Sequence, residues 1–168
     1  MLEHLPKNAN FVRHFMNLWP PFLFAGIKIA ELSQDFKHCR VILKHRSFTK
    51  NLNGTQYGGS LFAMSDPIYS LMLICILGKR YHVWDKMAEI EFKKPGRTDI
   101  VLDCTVSDQM LESIYQNTAS GNKFLYVTDD SLYDTMGNEV ASVTRTLYVR
   151  LKAEYRPINI KGEEATLK

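Results

Sequence analysis

The stretch Asn51-Leu52-Asn53-Gly54-Thr55-Gln56-Tyr57-Gly58-Gly59 runs directly into the apolar segment Ser60 to Leu77, which holds a single acid, Asp66. Glycine tolerates dihedrals closed to other residues, and the first N–H groups of a helix have no internal partner. Gly58 and Gly59 at a helix start can therefore bring free donors close to a carbonyl oxygen or an anion. Asp66 follows about two helical turns later. Among Leu, Ile, Met, Phe and Ala a carboxylate is costly to bury unless it is paired or solvated. The spacing predicts a cleft or a subunit interface that reaches this acid.

The elements that must hold these residues are legible from hydrophobic period. Asn8 to Trp19 sets Phe11, Val12, Phe15, Leu18 and Trp19 on one helical face, and Pro20-Pro21 is expected to stop that helix. Gly26 to Gln34 and His38 to Arg46 alternate as strands of a hairpin. The segment from Ser60 to Leu77 is apolar all round, the mark of a helix covered on most sides, and Pro67 is expected to kink it by removing one hydrogen bond. Val83 to Lys93, Asp99 to Ser107, Lys123 to Asp134 and Glu139 to Lys152 read as four more strands, with Ala141, Val143, Leu147, Val149 and Leu151 inward on the last. Asp108 to Thr118 reads as a short amphipathic helix. The expected architecture is α+β, one long helix wrapped by an antiparallel sheet of about six strands. Residues 1–156 form a single domain with an N-terminal helix, and 157–168 form a polar tail.

Composition narrows the function classes. With 168 residues, 45% hydrophobic and 23% charged, the chain is ordinary globular material that fits one domain. A formal net charge of +3, with Lys and Arg dispersed and no aromatic-interleaved basic stripe, argues against a nucleic-acid partner. Cys39, Cys75 and Cys104 are read as buried reduced thiols. No Cys/His spacing suits a metal, so none is expected. The first six residues lack a basic region followed by an apolar run, which predicts a cytoplasmic protein without a secretory signal. Ile68 to Leu77 is about half the length of a membrane helix, so no membrane span is expected.

In element order and motif the chain resembles the hotdog-fold acyl-CoA thioesterases, in particular the phenylacetate-pathway (PaaI-like) type. That pattern has an Asn, a Gly, a His-Gly-Gly and an Asp seven residues beyond the last Gly; Asn51, Gly54, Gly58, Gly59 and Asp66 fall on it. A less characterised thioesterase-like branch is similar too, with Pro21-Phe22 after the first helix and Trp84 to Ile90 before Lys94-Pro95-Gly96. The resemblance covers roughly residues 24 to 152. It implies a homodimer, or a tetramer made of two dimers, acting on an acyl-CoA or another acyl thioester. No cofactor is implied beyond the coenzyme A carried by the substrate.

By the same resemblance the Gly58 N–H would form the oxyanion hole and Asp66 of the partner subunit would act as general base or nucleophile. A half-buried setting would suit that role. Asn51 would orient the water or the carboxylate, Asp85 would assist, and Gly54, Tyr57 and Gly59 would line the substrate. Tyr57 stands where the family has histidine, so the role of that imidazole is lost or taken over by a phenol. Lys93, Lys94 and Arg97 are candidates for coenzyme A phosphates, with a solvated charged face as the alternative. Met64, Met72 and Met87 suggest an acyl pocket. A non-catalytic acyl-CoA or lipid-binding protein is the rival reading, and a subunit in which Asp66 only pins a dimer is a second.

Overall fold

In the computed structural model, which describes residues 8–157, the period-two segments form one six-stranded antiparallel sheet. Its strands are β1 (Ile27–Leu32), β2 (His38–Leu43), β3 (Tyr81–Phe92), β4 (Ile100–Thr105), β5 (Phe124–Asp134) and β6 (Glu139–Leu151). They lie in the order β1-β2-β4-β5-β6-β3. The long β3, β5 and β6 pair over most of their length, in registers such as Glu89 opposite Thr144 and Asp129 opposite Thr144. One face of the sheet carries Val41, Leu43, Leu102, Val143, Leu147 and Val149, all fully buried. The expected tail lies outside the described residues apart from Pro157.

The apolar run packs on that face as two helices, α3 (Gly58–Ala63) and α4 (Ile68–Leu77), with Met64 to Pro67 turning between them. Pro67 lacks the N–H that would continue the ladder, so the expected kink is a break in the helix. Gly58–Arg80 is long and apolar enough to cross a membrane by length and composition. In the fold it is the covered central helix, with Ile68, Leu71, Met72 and Leu73 almost wholly buried. Asp108–Thr118 forms the expected amphipathic helix, α5, capped by the Ser107 side chain on the Met110 N–H.

The N-terminal segment departs from expectation. The first helix, α1 (Ala9–Leu18), starts at Asn8, whose side chain caps the Phe11 N–H. It buries Ala9, Val12 and Met16, while Phe11, Phe15 and Leu18 face outward. The segment carries two apolar stripes, and the narrower one meets the sheet. Pro20-Pro21 ends α1 but also begins α2 (Pro20–Ala25), since proline in the first turn forfeits only N–H groups that have no helical partner.

α1 lies along β1. The Asn17 side chain accepts from the Ile29 N–H at 2.7 Å and donates to the Ile29 C=O at 3.0 Å, and Arg13 Nη1 donates to the Ala30 C=O at 3.1 Å. Three backbone groups in the middle of this edge strand are thus occupied by side chains rather than left open.

Candidate active site

The loop before α3 is organised by Asn51. Its Oδ1 accepts from the N–H groups of Asn53 and Thr55, and its Nδ2 donates to Thr55 Oγ1 and the Gln56 C=O. Asn51, expected to orient water or the carboxylate, lines the same cleft as Gly58, and in this chain its amide makes these four hydrogen bonds within its own loop. Gly54 takes φ +73°, a left-handed conformation suited to glycine, and is exposed at the loop tip. Gln56 is nearly buried and pins the loop to the sheet, its Nε2 donating to the Thr98 C=O at 2.9 Å and its N–H to the Gly96 C=O at 2.8 Å.

Gly58 opens α3 and lines a cleft of about 340 Å³ together with Asn51, Gln56, Phe92, Lys94 and Gly96. Neither the Gly58 nor the Gly59 N–H has a partner among the described residues. A Cβ on Gly58 would stand 3.0 Å from Phe92 Cζ, so the cleft wall is close here. The exposed Tyr57 ring lies over Gly59, where an added Cβ would fall 2.4 Å from Cε1. Lys93, which also lines the cleft, is paired with Glu139 at 2.8 Å, and Arg97 does not border it. Met64 and Met72 are fully buried in the core, while Met87 is exposed on β3; the three do not share one pocket.

Asp66 sits in the turn between α3 and α4, its side chain 57% exposed, and it does not line the cleft that Gly58 lines. A half-buried acid was expected; the described chain covers it less than that because the break at Pro67 turns it outward. Beneath it lies a group that the sequence reading passed over. Arg145 on β6 is only 1% exposed and faces the helix from the inward row. Its Nη1 pairs with Asp85 Oδ2 and lies 3.5 Å from Asp66 Oδ1, and its Nη2 donates to Ser65 Oγ at 3.0 Å. The guanidinium also stands 5.8 Å from the centre of the Phe62 ring.

Two neighbouring helix residues reach to either side of that arginine. Ser70 Oγ donates to Asp85 on β3 at 2.6 Å, and Tyr69 donates to Asp130 on β5 at 3.0 Å. Burial raises the Asp85 carboxyl above its ordinary range, against the pull of Ser70 and Arg145. Burial also lifts Asp130 to about 6, opposed by Tyr69 and Arg145. Asp85, to which the resemblance gives an assisting role, is the buried acid of this network. The signal for Arg145 was present in the strand period: the inward positions 141, 143, 147, 149 and 151 step over 145, which alternation also turns inward.

Cys39 and Cys104 face each other across β2 and β4 and are buried, which pushes both thiols up, Cys39 to about 12. No group of three His, Cys, Asp or Glu side chains among the described residues could hold a metal ion.

The model of DUF4442, a domain of unknown function, matches residues 7–149 of this chain. The chain belongs to the DUF4442 family. This DUF4442 protein is similar in structure to a probable thioesterase of unknown function from Pseudomonas aeruginosa, with TM-score 0.78 and 18% identity over 89% of this chain and 99% of that one. A Haemophilus influenzae thioesterase aligns with TM-score 0.64 and 14% identity over 92% and 99%. The PaaI protein of the E. coli phenylacetic acid degradation operon aligns with TM-score 0.61 and 16% identity over 90% and 97%. At these identities the likeness is one of fold, and the DUF4442 chain has the hotdog fold that its element order implied. No curated protein sequence matches it.

Proposed function

We propose that this protein hydrolyses an acyl-CoA or a related acyl thioester at a site completed by a second copy of the chain. The observation that carries the reading is the pair of unpartnered N–H groups at Gly58 and Gly59, the first on the wall of a cleft. The thioester oxygen would accept from the Gly58 N–H, and that donor strengthens as the carbonyl carbon becomes tetrahedral and its oxygen takes up charge. Asp66 of the partner subunit would take a proton from water as the water oxygen attacks. The C–S bond would then break, the departing thiolate taking the proton held by Asp66, to leave a carboxylic acid and the free thiol. Asn51 holds the loop that aims Gly58, and the Arg145–Asp85 pair holds the turn that carries Asp66. Lys94, which lines the cleft, would meet a substrate phosphate.

The free edge of β3 supports the two-copy arrangement. β3 is a twelve-residue edge strand, and its outer side has no backbone partner among the described residues. Two such edges joined about a two-fold axis would extend the sheet from one subunit into the next. A cytoplasmic setting is part of the same proposal.

The test is thiol release from a panel of short, medium, long and aromatic acyl-CoAs. The wild-type protein is expected to turn over at least one, and Asp66→Asn to lower the rate about a hundredfold, the scale of a general base. A second reading, acyl-thioester binding without turnover, draws on the Tyr57 ring over Gly59 and on the separation of Asp66 from the cleft within one chain. Acyl-CoA binding with no release across the panel would favour it.

A further inference from the structure

We propose that the α1–α2 corner and the loop after β2 form a docking surface for an anionic lipid membrane. On α1 the outward stripe is Phe11, Phe15 and Leu18, the two rings 6.5 Å apart and stacked. The chain continues through Trp19 to Leu23 and Phe24 on α2, with Leu18 and Phe24 exposed to 70% and 74%. Gly26, at the end of α2, abuts the loop that follows β2: a Cβ there would stand 3.7 Å from both Arg46 Cδ and Thr49 Cγ2. That loop adds Phe48, 75% exposed, with the Arg46 guanidinium 5.9 Å from its ring centre. Large apolar side chains left uncovered in one region mark a surface made to meet something.

Charge decides between occupants. From Phe36 to Ser65 the chain has no Asp or Glu, while Lys37, Arg40, Lys44, Arg46 and Lys50 all fall within it. Lys37, Arg40 and Lys44 are tied to Asp108, Asp103 and Asp99. Arg46, whose guanidinium stands over the Phe48 ring, and Lys50, two residues beyond Phe48 in the chain, meet no carboxylate among the described residues. Aromatic and aliphatic residues flanked by unneutralised cations are the chemistry of a surface that inserts shallowly among anionic headgroups. The position fits as well. α1 covers the β1 edge, the end of the sheet opposite β3, so a membrane and a partner joined through β3 would occupy different sides. This inference does not rest on thioester hydrolysis.

The full chain is sedimented with vesicles of phosphatidylcholine alone and of phosphatidylcholine with phosphatidylglycerol, at moderate salt. Binding to the anionic vesicles only is the expected result. Phe24→Ser with Phe48→Ser, and separately Arg46→Ser with Lys50→Ser, are each expected to reduce the partition coefficient at least about tenfold. Denaturation midpoints and sedimentation velocity of every variant are read in parallel. No binding to anionic vesicles overturns the proposal. So does a wild-type oligomer that dissociates in the Phe24→Ser, Phe48→Ser variant, since the face would then belong to a second copy. Should the aromatic variant fail to fold, the charge variant decides alone.

Discussion

Replacing Arg145 by methionine removes the charge while keeping an unbranched chain of comparable reach in the same space. Arg145 is 1% exposed and its partner Asp85 18%, so the variant leaves a largely buried carboxylate with Ser70 as its remaining donor. Breaking a buried pair from one side costs about 3–5 kcal/mol. The residual hydration of Asp85 and its Ser70 bond put this site near the lower figure, about 3 kcal/mol. With a urea m-value of about 2 kcal/mol/M, the unfolding midpoint should fall by about 1.5 M at pH 7. The cost has a pH signature. Burial already holds the folded-state Asp85 carboxyl above its unfolded range, and loss of the guanidinium raises it further. A raised folded-state value means that the folded form binds the proton more tightly, so the variant's stability falls as pH rises and recovers on acidification. Adding Asp85→Asn removes the stranded charge and should restore about 2 of the 3 kcal/mol. A loss below about 1 kcal/mol for Arg145→Met, or an Asp85→Asn change that adds its own full cost, would refute the view that these two groups neutralise each other.

Asp130 gives a second pH test. Its folded-state carboxyl is lifted to about 6 from 3.8, so the stability it contributes is present below about pH 4 and is lost as pH rises through 6. In urea titrations across that range the wild type should lose stability and Asp130→Asn should lose less; parallel curves would speak against the shift. Asn51→Ala should cost about 1–2 kcal/mol, since several loop hydrogen bonds go at once. Its amide protons from Asn53 to Gln56 should exchange faster while the core strands keep their protection. Unchanged exchange would mean that the loop holds its shape without that side chain.

The sheet was legible because alternation of buried positions is clean in β2, β4 and β6, and the central helix because a run apolar on all sides has no surface to rest on. Two apolar stripes on α1 were not distinguishable by period: Phe11 and Phe15 are as hydrophobic as Val12 and Met16, and the fit to β1 selects the second pair. Pro67 pointed to a kink, but not to a full break between α3 and α4, nor to the exposed position that Asp66 takes in the turn. The position of Asn51 in the sequence does not reveal that its amide oxygen accepts from the N–H groups of Asn53 and Thr55, because that depends on how the loop folds back on itself. Arg145 went unread because a basic residue on an inward row looks like a gap in the pattern. Only the folded sheet reveals that β3, β5 and the α3–α4 turn bring polar partners to it.

The side chains of Asn17 and Arg13 also limit how copies can add to one another. Polymerisation strand by strand requires that each added molecule present a fresh edge, so a chain with two open edges can grow into a fibre. Here α1 already saturates the outer carbonyls of Ile29 and Ala30. In the proposed pair joined through β3, the sheet would end at β1 on both sides, and growth would terminate at the pair. In that arrangement Asn17 and Arg13 would act as chain terminators, guarding a long sheet against the open-ended assembly its own geometry would otherwise invite.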